Sequence, residues 1–216
     1  MNPVNGKQRT TIYVDGFNLY YRCLKGTSYK WLDIVALCRR VLKKVNEVSA
    51  VRYYTARVNA PPDDPGQPIR QDTYLRALRT LPEVSIHLGH YLTKPVRFPL
   101  ANPVSGQPRT VEVLRAEEKG SDVNLATHLV RDAFRDEFDV AIVISNDSDL
   151  YEPIRIVTRE LHKPVGLLVP EGVTISTKLK PIASFIRTMR RTALARSQFS
   201  DQLTDANGTF HKPARW

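Results

Sequence analysis

The chain has 216 residues, 42% of them hydrophobic, and carries 32 Lys and Arg against 22 Asp and Glu, a formal net charge of +10. That size and apolar content fit one globular domain and exclude a disordered polyelectrolyte. No apolar run approaches the roughly 20 residues of a membrane span, Met1 to Thr10 lacks a signal-peptide core, and Cys23 and Cys38 are too few for a disulfide framework, so a cytoplasmic setting with no membrane partner is expected.

Thr11 to Val14 is the first of three strongly apolar segments, followed by Val140 to Ile144 and Val165 to Val169. Continuous Val, Ile and Leu suits parallel strands buried on both faces. Val51 to Val58 and Val84 to Leu92 are less uniform strand candidates, rich in Val and Tyr. Amphipathic helices are predicted between them, over Leu32 to Leu42, Ile69 to Leu81 and Val123 to Phe134, with another after Asp149 that carries Pro153 in its first turn. A fifth helix is read from Ile175, Leu179, Ile182, Ile186 and Met189, which recur at spacings of four and three. Alternating strands and helices make a doubly wound, three-layer α/β sheet. Thr93 to Lys119 is an insertion in which Val96, Phe98 and Leu100 face Val111, Val113 and Leu114 across a turn, a β-hairpin arm. The domain is expected over residues 10–191, with 192–216 a polar, poorly ordered tail.

The charge is unevenly spread: residues 121–170 hold nine acidic and five basic side chains within a basic protein. Asp132, Asp136, Glu137 and Asp139 read as a solvated helix end. Asp15 and Asp147 differ, because each follows a buried strand, at the edge where open α/β sheets hold their ligands. Neighbouring strands lie about 4.8 Å apart, so in a 3-2-1-4-5 order these two carboxylates can share a cation. Each is equally well explained as the cap of the following helix. Asp122 opens the third predicted helix, whose start is expected at the opposite edge unless the insertion brings it round, so the strand argument does not place it.

Three blocks, Val14-Asp15-Gly16-Phe17-Asn18-Leu19-Tyr20, Glu118-Lys119-Gly120-Ser121-Asp122-Val123-Asn124-Leu125-Ala126 and Ile144-Ser145-Asn146-Asp147-Ser148-Asp149-Leu150, resemble the signature of the NYN domain, a branch of the PIN-like nuclease superfamily. The resemblance covers roughly residues 10–190. It implies a PIN-like fold with a central parallel sheet in 3-2-1-4-5 order and an acidic cluster that binds Mg2+ or Mn2+ and hydrolyses RNA. Asp15, Asp122 and Asp147 would be metal ligands, Asp149 a fourth catalytic acid, and Asn18 a polar contact to phosphate or water. This chain departs from the pattern at His128, where a further acid is common, and at Asn146, where glycine is common.

Hard oxygen ligands suit such a cation, which inverts the local sign for an anionic backbone. Around it, Arg22, Lys25 and Lys30, and Lys94, Arg97, Arg109, Arg115 and Lys119 on the arm, are candidates to hold RNA, single-stranded or structured. Phe17, Tyr20, Tyr21, Tyr29 and Trp31 are candidates to stack on unpaired bases. His87 and His90 stand three apart in a strand and point to opposite faces, and no phosphate-binding glycine loop accompanies Gly16, so neither a zinc pair nor a nucleotide cofactor is expected. Arg187, Arg190, Arg191 and Arg196 are expected to extend the RNA surface or to serve a homo-oligomer. The leading expectation is a metal-dependent ribonuclease. The alternatives are an RNA-binding or regulatory protein with little catalysis, and an acid-metal phosphatase, against which Phe17 stands at the third position after the first strand.

Overall fold

A computed structural model describes residues 6–216. Six strands, β1 (Gln8–Asp15), β2 (Asn46–Thr55), β3 (Val84–Leu88), β6 (Val140–Ile144), β7 (Val165–Pro170) and β8 (Phe185–Met189), form one parallel sheet in the order β3-β2-β1-β6-β7-β8. Strands β4 (His90–Pro99) and β5 (Thr110–Lys119) pair only with each other, antiparallel from His90↔Lys119 to Pro99↔Thr110. They are the expected arm. With the arm set aside, the first five sheet strands follow the 3-2-1-4-5 order, and β8 extends it by one.

The sheet core follows from alternation. Ile12, Val14, Val51, Ile142 and Ile144 pack on one face with helix α2 (Ile34–Val41) and helix α3 (Gln67–Arg79), while Tyr13, Tyr54, Ala141, Val143 and Leu167 pack on the other with helix α4 (Ser121–Phe134) and helix α5 (Tyr151–Arg155). A period of two in a strand sends successive side chains to opposite faces, so a run such as Ile12-Tyr13-Val14 must be apolar throughout. Helix α1 (Gly16–Leu19), extended by a π-helical turn over Tyr20–Leu24, leaves the end of β1 directly.

Two expectations fail. Ile186 and Met189 belong to strand β8, paired with β7 from Gly166↔Phe185 to Pro170↔Met189, and not to a helix. Their four-and-three spacing with Leu179 and Ile182 is coincidental, since Leu179, Ile182 and Ile186 meet one face of the sheet and Met189 the other. The Phe185 ring lies so close over Gly166 that a Cβ there would stand 2.4 Å from it, so glycine leaves the ring its place between the two strands. Beyond Thr192 the chain is also structured: helix α6 (Arg191–Ala195) and the hairpin of β9 (Gln202–Asp205) and β10 (Gly208–His211) fold onto the body. A few aromatics outweigh the polar composition, for Phe199 and Phe210 are each 8% exposed, and the rings of Phe199 and Trp216 lie 5.7 and 6.2 Å from that of buried Trp31. Among the described residues no helix is long and apolar enough to cross a membrane.

Candidate active site

Asp15 ends β1, and Ser145 follows the neighbouring β6, whose Ile144 is in register with Val14. The Ser145 hydroxyl donates to Asp15 Oδ2 at 2.9 Å, and the Asn18 backbone N–H donates to Oδ1 at 2.8 Å. Asp15 is thus a helix cap and a member of the acidic edge at once; the two readings do not compete. Gly16 is required beside it, because a Cβ there would stand 2.8 Å from both the Tyr53 ring and the Tyr54 carbonyl. Asp147 caps the turn over Ser148–Leu150, accepting from the Asp149 N–H at 3.0 Å, and its own N–H donates to Ser145 Oγ at 3.1 Å. Asn18 Oδ1 accepts from the Asn146 N–H at 3.2 Å, tying the loops after β1 and β6 together. Asn146, where the pattern favours glycine, serves the structure here, since its side chain accepts from the Ser176 N–H and donates to the Thr174 C=O.

Asp122 reaches the same edge. The expectation that α4 begins on the far side is wrong, because a helix linking parallel strands runs antiparallel to them and so starts at their carboxyl ends. The arm leaves and returns at that edge, through the His90↔Lys119 pair just after β3, and Gly120, at φ +96°, turns the chain into α4. Glu118, quoted within the second block but not singled out, accepts from the Ser121 N–H at 3.1 Å. Asp15, Asn18, Arg22, Glu118, Asp122 and Asp147 line one cavity of about 240 Å³. Asp149, in the turn itself, is exposed and does not line it.

The electrostatics are one-sided. Burial, then Asp15, Asp147, Glu118 and Asp149, raise the Asp122 carboxyl to about 6. Asp15, 5% exposed, is also raised, by burial first; the bonds from Asn18 and Ser145 oppose this and Asp147 adds to it. Among the described residues no three acids, histidines or cysteines stand close enough to complete a metal-ligand set. The donor chemistry nonetheless fits a hard, hydrated cation such as Mg2+, which keeps several waters and takes only one or two carboxylates directly. Asp15, Asp122 and Asp147 are the residues that could hold it.

The expected nucleic-acid residues divide. Asn18 and Arg22 line the acidic cavity, whereas Lys94 and Arg97 lie out on the arm, Arg97 beside Glu112 at 3.5 Å, and Lys119 sits at its base, 3.0 Å from Glu117. Phe17 and Tyr21 stack at 6.5 Å near the cavity, but Trp31 is 0% exposed and belongs to the core, so it is not a base platform. His128 is turned away, with Nδ1 3.0 Å from the Tyr54 hydroxyl and its ring 4.7 Å from that of His87. Burial, then His128, pushes the His87 pKa down to about 4, and burial also lowers that of His128.

Asp122→Asn is expected to stabilise the protein without metal. A carboxyl raised in the folded state contributes stability below its unfolded pKa near 3.9 and loses it as the pH passes about 6. After allowance for solvent screening the gain at pH 7.5 is about 1 kcal/mol, a Tm rise of roughly 2–4 °C, vanishing near pH 4. Calorimetry of both forms in EDTA at the two pH values checks it.

A crystal structure of a protein of unknown function, VPA0982, from Vibrio parahaemolyticus RIMD 2210633 has the same fold, with a TM-score of 0.56 and 18% identity over 86% of this chain and 95% of that one. The chain is also 29% identical over 185 residues to 6-hydroxy-3-succinoylpyridine 3-monooxygenase HspA of Pseudomonas putida (strain DSM 28022 / S16). That match takes in 75% of this chain but spans only 59% of the relative's length. The pattern of the NYN domain matches residues 9–189, a span that holds all but the first residue of the sheet and all the acids at its edge, and the chain belongs to the NYN domain family, a PIN-like, nuclease-type family.

Proposed function

We propose that this NYN domain is a metal-dependent ribonuclease acting on RNA phosphodiesters. The observation that carries the reading is the convergence of Asp15, Asp122, Asp147 and Glu118 on one cavity, where burial and the neighbouring acids raise the Asp122 carboxyl. Four acids gathered around one arginine remain costly unless a cation or protons compensate. Mg2+ or Mn2+ held at this edge by one or two of Asp15, Asp122 and Asp147 would supply charge neutralisation for the phosphodiester and a more acidic water. The chain's own contribution is positioning. Ser145 and the Asn18 N–H fix both oxygens of Asp15, and the Asn18 side chain holds the third block against the first. Arg22 at the rim supplies a phosphate contact, and Lys94, Arg97 and Lys119 extend that track along the arm. The test is cleavage of end-labelled single-stranded RNA in Mn2+, Mg2+ and EDTA; cleavage unaffected by EDTA, or none with any metal, counts against it. Millimolar Mn2+ should also raise Tm, and Asp147→Asn should shrink that rise. An unchanged Tm would remove the cation site.

A second reading is oxygen insertion into an aromatic heterocycle, the activity named for the Pseudomonas relative. One feature favours it, an aromatic-lined cavity of about 290 Å³ beside the acids. Oxygen uptake with 6-hydroxy-3-succinoylpyridine and an added two-electron reductant would bring this reading forward.

A further inference from the structure

We propose that the larger cavity, next to the acidic one, receives a single unpaired nucleobase of the RNA strand. The inference rests on the ribonuclease reading and assigns that site a base-binding subsite. The cavity lies between the turn after β1, the loop before α3, and the C-terminal segment. Its walls include Phe17, Tyr20, Tyr21, Tyr53, Tyr74 and Trp216. About 290 Å³ is at the small end for ligand sites, room for one planar ring system and not for a helix or a large cofactor.

Three features select a nucleotide. Phe17 and Tyr21 line both cavities, so a strand whose phosphate enters the acidic one has the adjoining base at the mouth of the aromatic one. The charge at the cavity is biased positive, with Lys30, Arg70 and Arg215 against Asp64. Asp64 is committed to Arg70 through one oxygen, while its other, Oδ1, is buried without a hydrogen bond, Arg215 Nη1 standing 3.6 Å away. Trp216 Nε1 is likewise buried and unpaired. An acceptor and a donor that lack hydrogen bonds beside a ring-lined cavity match what the edge of a heterocyclic base carries, and leaving both unmet is costly. Simple aromatic hydrocarbons would satisfy neither.

The experiment is an abasic scan. Short single-stranded RNAs, each lacking one base at a successive position, are bound to the wild-type protein in EDTA, so that no strand is cut, and read by fluorescence anisotropy. The expected result is a loss of about tenfold or more at one position and small losses elsewhere, the scale of one base–aromatic stack. That position-specific loss should disappear in Tyr21→Ala, which removes an exposed wall, and in Gln67→Trp, which fills the cavity, with circular dichroism confirming that both fold. RNA that binds with equal losses at every position overturns the subsite while leaving the ribonuclease reading intact. RNA that neither binds nor is cleaved overturns both. A Tm rise with 6-hydroxy-3-succinoylpyridine that Gln67→Trp abolishes, with no effect of abasic positions, assigns the cavity to a small aromatic acid and overturns the proposal.

Discussion

The double variant Asp15→Asn, Asp147→Asn is expected to abolish metal-dependent RNA cleavage while keeping the fold. Each side chain already satisfies local hydrogen bonds, Asp15 from Asn18 and Ser145, Asp147 from the Asp149 N–H. An asparagine oxygen can accept one of these bonds but brings no charge for a cation. Losing one preorganised charge from such a site costs about 10²–10³ in rate, and residues acting as a unit are far from additive, so the double variant should cost little more than the worse single one. Removing repulsion from the edge should also raise Tm in EDTA, which sets this result apart from loss by misfolding. Undiminished cleavage by the double variant would place the chemistry elsewhere or in a contaminant.

Much of this edge was legible in the sequence because strand ends are easy to locate. Apolar runs at Thr11 to Val14 and Val140 to Ile144 define buried strands, and the residues just after them, Asp15 and Asp147, therefore face the ligand edge. Asp122 was harder. Its position follows from the rule that a helix crossing between parallel strands starts at their carboxyl ends, and the 30-residue arm, closed at its base by His90↔Lys119, obscured that rule in the sequence. Ser145 and Glu118 gave no signal as residues, since a serine and a glutamate are ordinary in a loop; only the geometry shows one hydroxyl serving two aspartate loops. The aromatic cavity is built from widely separated segments and closed by Trp216, so it was invisible to any reading that treated the C-terminal stretch as a tail. Strand β8 was misread because in a short, half-buried edge strand beside a turn, apolar residues at four and three can meet both faces of a sheet as readily as one face of a helix.

The acids toward the end of α4 hold the clearest lesson in burial, and Asp132→Ala should have the largest effect on stability. Read as part of a solvated helix end, Asp132 is in fact 0% exposed. Its Oδ2 accepts from the Tyr13 hydroxyl at 2.8 Å and lies 2.6 Å from Arg52 Nε, whose N–H is not aligned for a hydrogen bond, while Oδ1 takes two bonds from Arg131. Arg52 in turn reaches Glu137, so β1, β2 and α4 are joined through one carboxylate. Burial works to raise this carboxyl, but Tyr13, Arg131 and Arg52 outweigh it and hold the pKa below the ordinary value. Removing the acid leaves Arg52, 19% exposed, and the buried Tyr13 hydroxyl without their partner. Breaking a buried pair this way costs about 3–5 kcal/mol, a Tm loss of roughly 10 °C for a chain of this size. A depressed carboxyl contributes its stability above the unfolded pKa near 3.9 and loses it as the pH falls through the folded value, so the deficit of Asp132→Ala should be full at pH 7 and narrow below about pH 4. Denaturant titrations of both proteins across that range measure it; a deficit under 1 kcal/mol at pH 7 would mean that Arg52 and Tyr13 find water or Glu137 instead, and that the network orders α4 without stabilising it.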